Sequence, residues 1–379
     1  MREKIGQCMI IGINGTSLTA DETDFIAREN IGGIILMKRN FSTPEELHEL
    51  TREIQSIFRR QADRAPLFIG VDQEGGRVAR FRAPFTEWPP LAALGKLQSP
   101  TLAFNASYRL GLELVAFGVN LNFAPCLDIL TNSANTVIGD RALSSDMETV
   151  SKLGSACVRG FMKSGVLPVG KHFPGHGNTL LDSHEDLPVE SRALAELEAR
   201  EIEPFKRAIK ARLPMLLSAH VKFTDVDADL PASLSAKWLK DILRGKLRWR
   251  GVTVSDDLDM KALTKHFTKS EIAVKAFAAG NDILLYCNEP DSHQIALDAV
   301  EKAVRDKQIP LADLMAAHQR VLELKREHEI VAQPKPLPEA TELMGHELHQ
   351  RLSQAIRAGQ VPADLLEASG PPKADSNSP

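Results

Sequence analysis

The sequence has few cysteines, and none lies close to another. The four cysteines of the 379-residue chain form no CxxC pair, which argues against a zinc or redox motif. Cys8 and Cys287 lie inside apolar runs, so we interpret them as small buried hydrophobic residues. Scattered thiols of this kind are typical of proteins in a reducing compartment.

Long apolar segments and blocks of positive charge are also missing. No run approaches the ~20 apolar residues of a membrane span. The apolar start of the chain reaches Gly12 and Asn14 too early for a signal peptide. Lys and Arg form no long block and the net charge is −4, so we expect neither a nucleic acid nor a membrane as partner. These absences predict a cytoplasmic protein, which we expect to be a monomer.

Motifs for nucleotides and metals are absent as well. The EGGR segment at 74–77 lacks the spacing of a dinucleotide fingerprint, and GHGN at 175–178 lacks the Lys-Ser/Thr of a P-loop. His172, His176 and His184 could bind zinc in principle, but they lack a compact metal spacing such as HExxH. We therefore expect neither a metal ion nor another cofactor.

Short apolar runs recur along the chain, and helical patterns separate most of them. The eight runs predicted as strands are 5–13, 31–37, 67–72, 119–125, 166–173, 215–221, 251–256 and 282–287. Several are nearly continuous in Val, Ile, Leu and Phe, as in a parallel sheet covered on both faces. Strand–helix alternation repeated about eight times favours an α/β fold, a (β/α)8 TIM-type barrel with a single catalytic domain over residues 1–330. An open doubly wound sheet is the alternative.

The segments between the strands predict helices and two long loops. The predicted helices are 43–60, 101–117, 148–163, 190–212, 236–247 and 270–279. The long loops are 80–99 and 175–188, and long loops after barrel strands usually shape the active site. Residues 331–379 differ in character, with a Pro-rich linker at 333–338, one amphipathic helix at 339–358 and a disordered end.

Ionisable residues cluster where four of the predicted strands end. The third strand ends in VDQEGGR, the fifth in KHFPGHG, the sixth in SAH and the seventh in SDD. Active sites of such barrels lie at the C-terminal ends of the strands, so these residues predict one polar site.

Individual residues in these segments allow two interpretations. In one interpretation, one of Asp256 and Asp257 caps the next helix and the other is solvated. In the second, one of them is a nucleophile that attacks an anomeric carbon. Asp182 can orient His184 as a general acid/base, or the two can form an exposed turn. Lys171 can donate to substrate hydroxyls or close an ion pair with a neighbouring strand, and Asp72 and Arg80 carry the same ambiguity.

Three motifs resemble the β-N-acetylhexosaminidases of glycoside hydrolase family three. They are KHFPGHGNTLLDSHEDLP at 171–188, GVDQEGGRVARF at 70–81 and GVTVSDDLDM at 251–260, and the likeness continues in IGGIILMKRN at 31–40 and NFAPCLD at 122–128. The similarity spans roughly residues 5 to 330, and the first motif is long and specific.

The resemblance implies roles for particular residues. It makes Asp256 the catalytic nucleophile, His184 the general acid/base and Asp182 the partner of that histidine. A histidine in this role is unusual, since retaining glycosidases normally use a second carboxylate. The residues implied to hold the sugar are Asp72, Arg80, Arg141, Lys171 and His172. The segment IGDRAL around Arg141 departs from the family pattern, which commonly has Asn or Thr before the Arg and Phe after the following small residue.

The resemblance is to short bacterial cell-wall recycling enzymes that act in the cytoplasm. Such enzymes remove terminal GlcNAc from GlcNAc-1,6-anhydro-N-acetylmuramic acid and from its peptide-bearing forms, so the expected partner is a small carbohydrate. The alternatives are a phosphorylase that uses phosphate in place of water, a glycosidase for another sugar such as a β-glucosidase, and a non-catalytic sensor of muropeptides. The KHFPGHG…DSH segment argues against the β-glucosidase, and the complete catalytic set argues against the sensor.

Overall fold

Eight parallel strands close into a barrel. The computed structural model describes residues 1–59, 65–179, 186–330 and 333–367. The barrel strands are β1 (Met9–Gly12), β2 (Gly33–Ile35), β3 (Phe68–Val71), β4 (Leu121–Asn122), β5 (Leu167–Phe173), β6 (Met215–Ser218), β7 (Val252–Asp257) and β8 (Ile283–Tyr286). Each strand pairs with its neighbours in chain order, and β8 pairs with β1 through Met9 opposite Leu284. The predicted (β/α)8 barrel is confirmed, and the open sheet is excluded by this closure.

Helices surround the barrel and extend beyond it. They are α1 (Arg2–Gln7), α2 (Ala20–Glu29), α3 (Pro44–Arg59), α4 (Leu91–Leu97), α5 (Pro100–Ala116), α6 (Met147–Ser164), α7 (Leu194–Ala199), α8 (Glu203–Lys210), the π-helical α9 (Lys237–Lys246), α10 (Lys261–Thr264), α11 (Lys269–Ala279), α12 (Pro290–Arg305), α13 (Leu311–Glu327), α14 (Leu337–Leu343), α15 (Glu347–Arg357) and α16 (Ala363–Glu367). Of the helices that the structure describes, none is both long and apolar enough to cross a membrane.

The barrel interior is filled with apolar side chains and closed at one end. Its packed core includes Ile10, Phe68, Leu121, Met215 and Val254. At the N-terminal end of the strands, Val321 and Leu324 of α13 join this core, and the Lys325 ammonium lies 4.6 Å from the centre of the Phe68 ring. Because this end is sealed by a helix, the polar mouth can form only at the C-terminal ends of the strands.

Two predicted elements near the barrel are divided differently in the structure. The first predicted strand, 5–13, begins as helix α1, and the strand starts only at Met9. Gly6 of α1 is packed so closely on α2 that a Cβ there would lie 1.7 Å from the carbonyl oxygen of Glu29. The helix predicted over 190–212 is two helices, α7 and α8, because Pro204 can stand only in the first turn of a helix. The loop predicted over 80–99 also contains α4.

The helix predicted over 339–358 is interrupted. Helix α14 ends at Leu343 and α15 starts at Glu347, with Gly345 between them at a φ of +59°. A left-handed backbone conformation at this position ends the first helix and turns the chain into the second. Both helices pack on α5 at the side of the barrel. The end predicted as disordered, 370–379, lies outside the described residues.

Candidate active site

A polar cavity opens at the C-terminal ends of the strands. Its volume is about 340 Å³, within the range of small-molecule sites. The charged and histidine side chains that line it are Asp72, Arg80, Arg141, Lys171, His172, His176, Asp256 and Asp257. Of the eight residues named as catalytic or sugar-binding from the sequence, the structure therefore brings six together in one cavity. The other two, Asp182 and His184, lie outside the described residues.

Lys171 lies at the end of β5 between two carboxylates. Its Nζ is 2.8 Å from Asp72 Oδ1 and 2.7 Å from Glu74 Oε1, and its side chain is buried. Burial alone would lower the pKa of this ammonium, but Asp72 and Glu74 outweigh that effect and raise it above its ordinary value. Lys171 therefore forms an ion pair with residues that follow another strand, which was one of the two interpretations of its sequence position. Its ammonium group stays protonated at the rim of the cavity.

Arg80 and Asp72 form the outer part of this cluster. Arg80 Nη2 lies 3.3 Å from Asp72 Oδ2, and both side chains are 21% exposed, so they remain accessible from the cavity. Gln73 fixes the turn behind them, because its Oε1 accepts hydrogen bonds from the backbone N–H groups of Arg80 and Phe81. The carboxylate and the guanidinium are thus held at a fixed separation before any ligand arrives.

Glu74 is a central residue to which the sequence interpretation assigned no role. Its side chain is only 1% exposed and accepts hydrogen bonds from Arg141 Nε at 3.0 Å and Nη2 at 2.8 Å. Burial would raise the pKa of Glu74, but Arg141 and Lys171 beside it hold that pKa well below its usual range. This bidentate pair orients Arg141 despite the unusual sequence around it.

His172 is fixed by a buried aspartate that was also not named as a site residue. Its Nδ1 lies 2.6 Å from Asp128 Oδ2, and Arg141 Nη2 donates to its Nε2 across 3.3 Å. Because Arg141 can only donate, Nε2 is the acceptor and the proton lies on Nδ1. Burial raises the pKa of Asp128, but His172 and His176 outweigh it and bring that pKa down to about 2. The carboxylate thus sets the tautomer of His172.

A potential metal-binding group overlaps this pair. Among the residues that the structure describes, Cys126, Asp128 and His172 are the three whose ligand atoms lie within 4.8 Å of one another. The Cys126 thiol donates to Asp128 Oδ2 across 3.2 Å, and burial raises the pKa of this thiol well above its ordinary value. A protonated thiol and a carboxylate that already accepts from Cys126, from His172 and from the backbone N–H of His176 do not form the deprotonated ligand set that a metal needs.

Asp256 lies at the end of β7, half-buried and facing the cavity. Burial alone would raise its pKa, but His220, His172, the backbone N–H of Asp257 and Lys171 together lower it below the ordinary value. The backbone N–H of Asp257 donates to Asp256 Oδ1 at 2.9 Å. Asp256 is therefore an oriented, ionised carboxylate at neutral pH, as a nucleophile must be.

Asp257 also borders the cavity, but its carboxylate is held by backbone groups. Its Oδ1 accepts from the backbone N–H groups of Asp259 and Cys287, which ties the end of β7 to the end of β8. Burial raises the pKa of Asp257 to about 6. The carbonyl oxygen of Asp257 also accepts from His220 Nε2 at 2.9 Å. Of the two adjacent carboxylates, Asp256 is thus the one that suits nucleophilic attack, and Asp257 joins two strands.

The segments on either side of residues 180–185 are anchored to the barrel. Before it, Thr179 Oγ1 lies 2.8 Å from Nδ1 of the buried His176, whose pKa burial lowers to about 4. After it, Asp186 accepts from Lys265 at 3.3 Å and from His266 at 3.1 Å. These contacts hold the two described residues that border the segment, Thr179 and Asp186.

Comparisons with known proteins agree with this architecture. A model of the glycosyl hydrolase family 3 N-terminal domain matches residues 1–324. A β-hexosaminidase from Nitrosomonas eutropha is 37% identical over 328 residues, which cover 85% of this chain and 92% of that protein. One from Alkalilimnicola ehrlichii is 39% identical over 312 residues, covering 81% and 86%.

Solved structures give the same result. A family 3 β-N-acetylglucosaminidase from a Paenibacillus species superposes with a TM-score of 0.91 at 36% identity, covering 95% of this chain and 68% of that one. NagZ from Neisseria gonorrhoeae gives a TM-score of 0.75 at 34% identity, covering 94% and 98%; the same enzyme has been solved with N-trifluoroacetyl-D-glucosamine. These matches confirm the predicted enzyme class, a glycoside hydrolase of the β-N-acetylhexosaminidase type. The chain belongs to glycosyl hydrolase family 3.

Proposed function

We propose that the protein is a retaining exo-β-N-acetylglucosaminidase that removes terminal, non-reducing GlcNAc from peptidoglycan fragments. The observation that carries this proposal is Asp256, an ionised carboxylate beside the buried cluster of Lys171, His172 and Glu74. We assign the cytoplasm as its location, in line with the short cell-wall recycling enzymes that the sequence resembles. GlcNAc-1,6-anhydro-N-acetylmuramic acid and muropeptides are the substrates we infer.

The proposed reaction has two steps. Asp256 attacks the anomeric carbon, so that a bond from its oxygen to C1 forms as the glycosidic C1–O bond breaks, while His184 gives its proton to the leaving oxygen. A water molecule then attacks C1, its proton passes to His184, and the bond to Asp256 breaks. Two inversions at C1 retain the anomeric configuration. Asp182 is assigned to orient the His184 ring and to support its charge.

The charged cluster is assigned to the sugar. A pyranose ring presents several hydroxyls that must be hydrogen-bonded together, and bidentate carboxylate and guanidinium groups suit that task. Asp72 offers acceptors, while Arg80, Arg141 and Lys171 offer donors that are already paired with carboxylates. His172 is held in one orientation between Asp128 and Arg141, so its ring forms a fixed part of the wall that faces the sugar. The complex of the Neisseria gonorrhoeae enzyme with a glucosamine derivative supports a sugar of this class as the ligand.

The same pairing bears on the phosphorylase alternative. Phosphate as acceptor would favour a site with unneutralised cations. Here Lys171 and Arg141 share Glu74, and Lys171 and Arg80 share Asp72, so most of the positive charge is already compensated. Water is therefore the acceptor that we assign.

Release of nitrophenol from p-nitrophenyl β-N-acetylglucosaminide tests the proposal, with and without phosphate. We expect hydrolysis in phosphate-free buffer, a loss of about a thousandfold or more in Asp256→Ala, and full activity in the control Asp313→Asn on α13. His184→Ala should lose most activity on natural disaccharides, whose leaving groups need the proton. The configuration of the product at C1, followed by NMR, should be β at first release.

Other outcomes would redirect the assignment. Activity that appears only with phosphate would identify the phosphorylase. An initial α product would exclude the covalent intermediate. Binding of N-acetylglucosamine without turnover of either the N-acetylglucosaminide or p-nitrophenyl β-glucoside would favour the sensor.

A further inference from the structure

The C-terminal helices pack against the loop that carries Arg80. This loop, residues 80–90 and here called the Arg80 loop, runs from the rim of the cavity to the start of α4. Helix α15 lies on its outer side and contacts α4 and α5. The barrel itself is complete at residue 330, so these helices are an addition placed directly behind one wall of the site.

A buried hydrogen-bond relay joins α15 to the loop. His349 Nδ1 donates to Glu113 Oε1 of α5 across 2.7 Å, and both side chains are almost fully buried. The other partner of Glu113 is Thr86, whose hydroxyl and backbone N–H donate to its two carboxylate oxygens. Each member of this relay forms a hydrogen bond with a buried polar group. Removing one member therefore leaves its partner buried without that hydrogen bond, which destabilises the contact.

Two hydrogen bonds fix the loop to the same helix, and a close approach fixes it to the turn before that helix. Ser353 Oγ and Arg357 Nη2 both donate to the backbone carbonyl of Glu87, at 2.7 and 2.8 Å. The turn between α14 and α15 approaches the loop so closely that a Cβ on Gly345 would lie 2.4 Å from the carbonyl oxygen of Pro84. The loop is thus held from behind along its middle.

The inner side of the loop reaches the charged cluster. Gly76 lies two residues after Glu74, and its backbone N–H donates to the carbonyl of Trp88 at 2.8 Å. At its start, the N–H of Arg80 donates to Gln73 Oε1 at 2.7 Å. A shift of the loop would therefore be transmitted to Gly76 and Arg80, while Asp256, on β7, has no contact with the loop among the bonds described.

We propose that His349 is a positioning residue for sugar binding, which acts through Glu113 and Thr86 to hold the Arg80 loop against the cavity. The inference rests on the proposed role of Arg80 in holding the sugar. A loosened loop should weaken sugar binding more than it slows the bond-breaking step, because the nucleophile and Lys171 lie on strands β7 and β5 and not on the loop. Loss of the relay should thus appear in KM rather than in kcat.

Paired substitutions separate this role from a merely structural one. His349→Leu keeps the bulk of the side chain and removes the donor, and His349→Asn keeps a donor near the position of Nδ1. We expect His349→Leu to raise KM for p-nitrophenyl β-N-acetylglucosaminide about tenfold with kcat within about twofold, since small misplacements of binding groups are costly. His349→Asn should restore most of the loss. His318→Leu, on α13 at the other end of the barrel, is the control and should leave both constants unchanged.

A double-mutant cycle with Arg80 gives the decisive result. Arg80→Ala should raise KM by itself, and His349→Leu should add nothing further in that background, because the group it positions is gone. Ser353→Ala removes one of the two donors to Glu87 and should also raise KM, by a smaller factor. This variant replaces His349→Leu in the test if His349→Leu does not fold. The Kd of N-acetylglucosamine, measured by calorimetry, gives the same readout without turnover.

The inference is overturned if the effects of the two substitutions on KM multiply, or if His349→Leu is folded and binds like the parent. It also falls if kcat alone decreases. If Arg80→Ala leaves KM and Kd unchanged, the assigned role of Arg80 is wrong and the inference falls with it. If Arg80→Ala weakens binding and His349→Leu does not, only the inference is wrong.

Discussion

Replacing Glu74 by Gln would remove one negative charge from the centre of the site at almost constant volume. The carboxylate is 1% exposed and stands 2.8 Å from Arg141 Nη2 and 2.7 Å from Lys171 Nζ. After the substitution Lys171 would retain Asp72 as an ion-pair partner, and Arg141 would retain none among the contacts described. An amide can accept a hydrogen bond from Arg141 but cannot compensate its charge.

The size of the effect follows from burial. Removing one partner of a buried ion pair typically costs ~3–5 kcal/mol, and because the amide keeps one acceptor we expect about 3 kcal/mol in the free energy of unfolding. Glu87→Gln is the matched control, in the same part of the chain. Its carboxylate is 50% exposed and 3.8 Å from Arg82, and an exposed pair of this kind contributes less than about 1 kcal/mol.

Urea unfolding at a series of pH values tests the charge directly. The pKa of Glu74 is lower in the folded than in the unfolded chain, so its stabilisation is present above the ordinary glutamate pKa of about 4.3 and is lost as the pH falls toward the folded value. The difference between the parent and Glu74→Gln should therefore be largest at neutral pH and shrink below about pH 4. A loss no larger than that of Glu87→Gln, or one that stays constant down to about pH 3, would refute the reasoning.

Three further substitutions test other parts of the structure. Asp128→Asn should lower kcat/KM about a hundredfold with the fold retained, because a neutral amide replaces the charged acceptor that holds the Nδ1–H of His172; kinetics beside a thermal scan check this. The pKa of Asp257 is raised to about 6, so the stabilisation by its protonated form is full below about pH 4 and is lost as the pH rises through 6. Asp257→Asn should therefore have a higher melting temperature than the parent at neutral pH and the same melting temperature at about pH 4. Gly345→Ala should cost more stability than Gly359→Ala, since both glycines have positive φ but only the first would meet a carbonyl oxygen, at 2.4 Å; paired urea titrations measure the difference.

The barrel and the position of the site could be predicted because both follow from local pattern. Seven of the eight barrel strands lie within the predicted apolar runs, and β7 extends one residue beyond its run, to Asp257. Strands buried on both faces are apolar along most of their length. The C-terminal ends of parallel strands meet at one rim, so the polar residues that end β3, β5 and β7 had to come together. Their pairing was not predictable, because ion pairs such as that of Lys171 with Glu74 depend on side-chain directions across two strands.

Glu74 and Asp128 show where sequence reasoning stopped short. Glu74 follows Asp72 by two residues, and in an extended chain such residues face the same side, so the motif already contained the signal. Asp128 ends the segment NFAPCLD, which was noted for its resemblance but assigned no role. A buried aspartate after a strand needs donors, and a histidine or backbone N–H at the same rim was the available source. Counting unsatisfied carboxylates at strand ends would have found both residues.

The C-terminal helix contained a similar signal. Leu352 and Ile356 mark the apolar face of α15, and His349 and Ser353 precede them by three residues each on the same face. Polar side chains within an apolar helix face need hydrogen-bond partners when that face is buried. An unpaired buried polar group would destabilise the fold by more than the neighbouring apolar contacts stabilise it. The pattern could therefore have predicted that this helix docks on a surface that offers acceptors. The α5 carboxylate and the loop carbonyl that His349 and Ser353 reach are such acceptors, and these contacts place α15 directly behind the loop that borders the cavity.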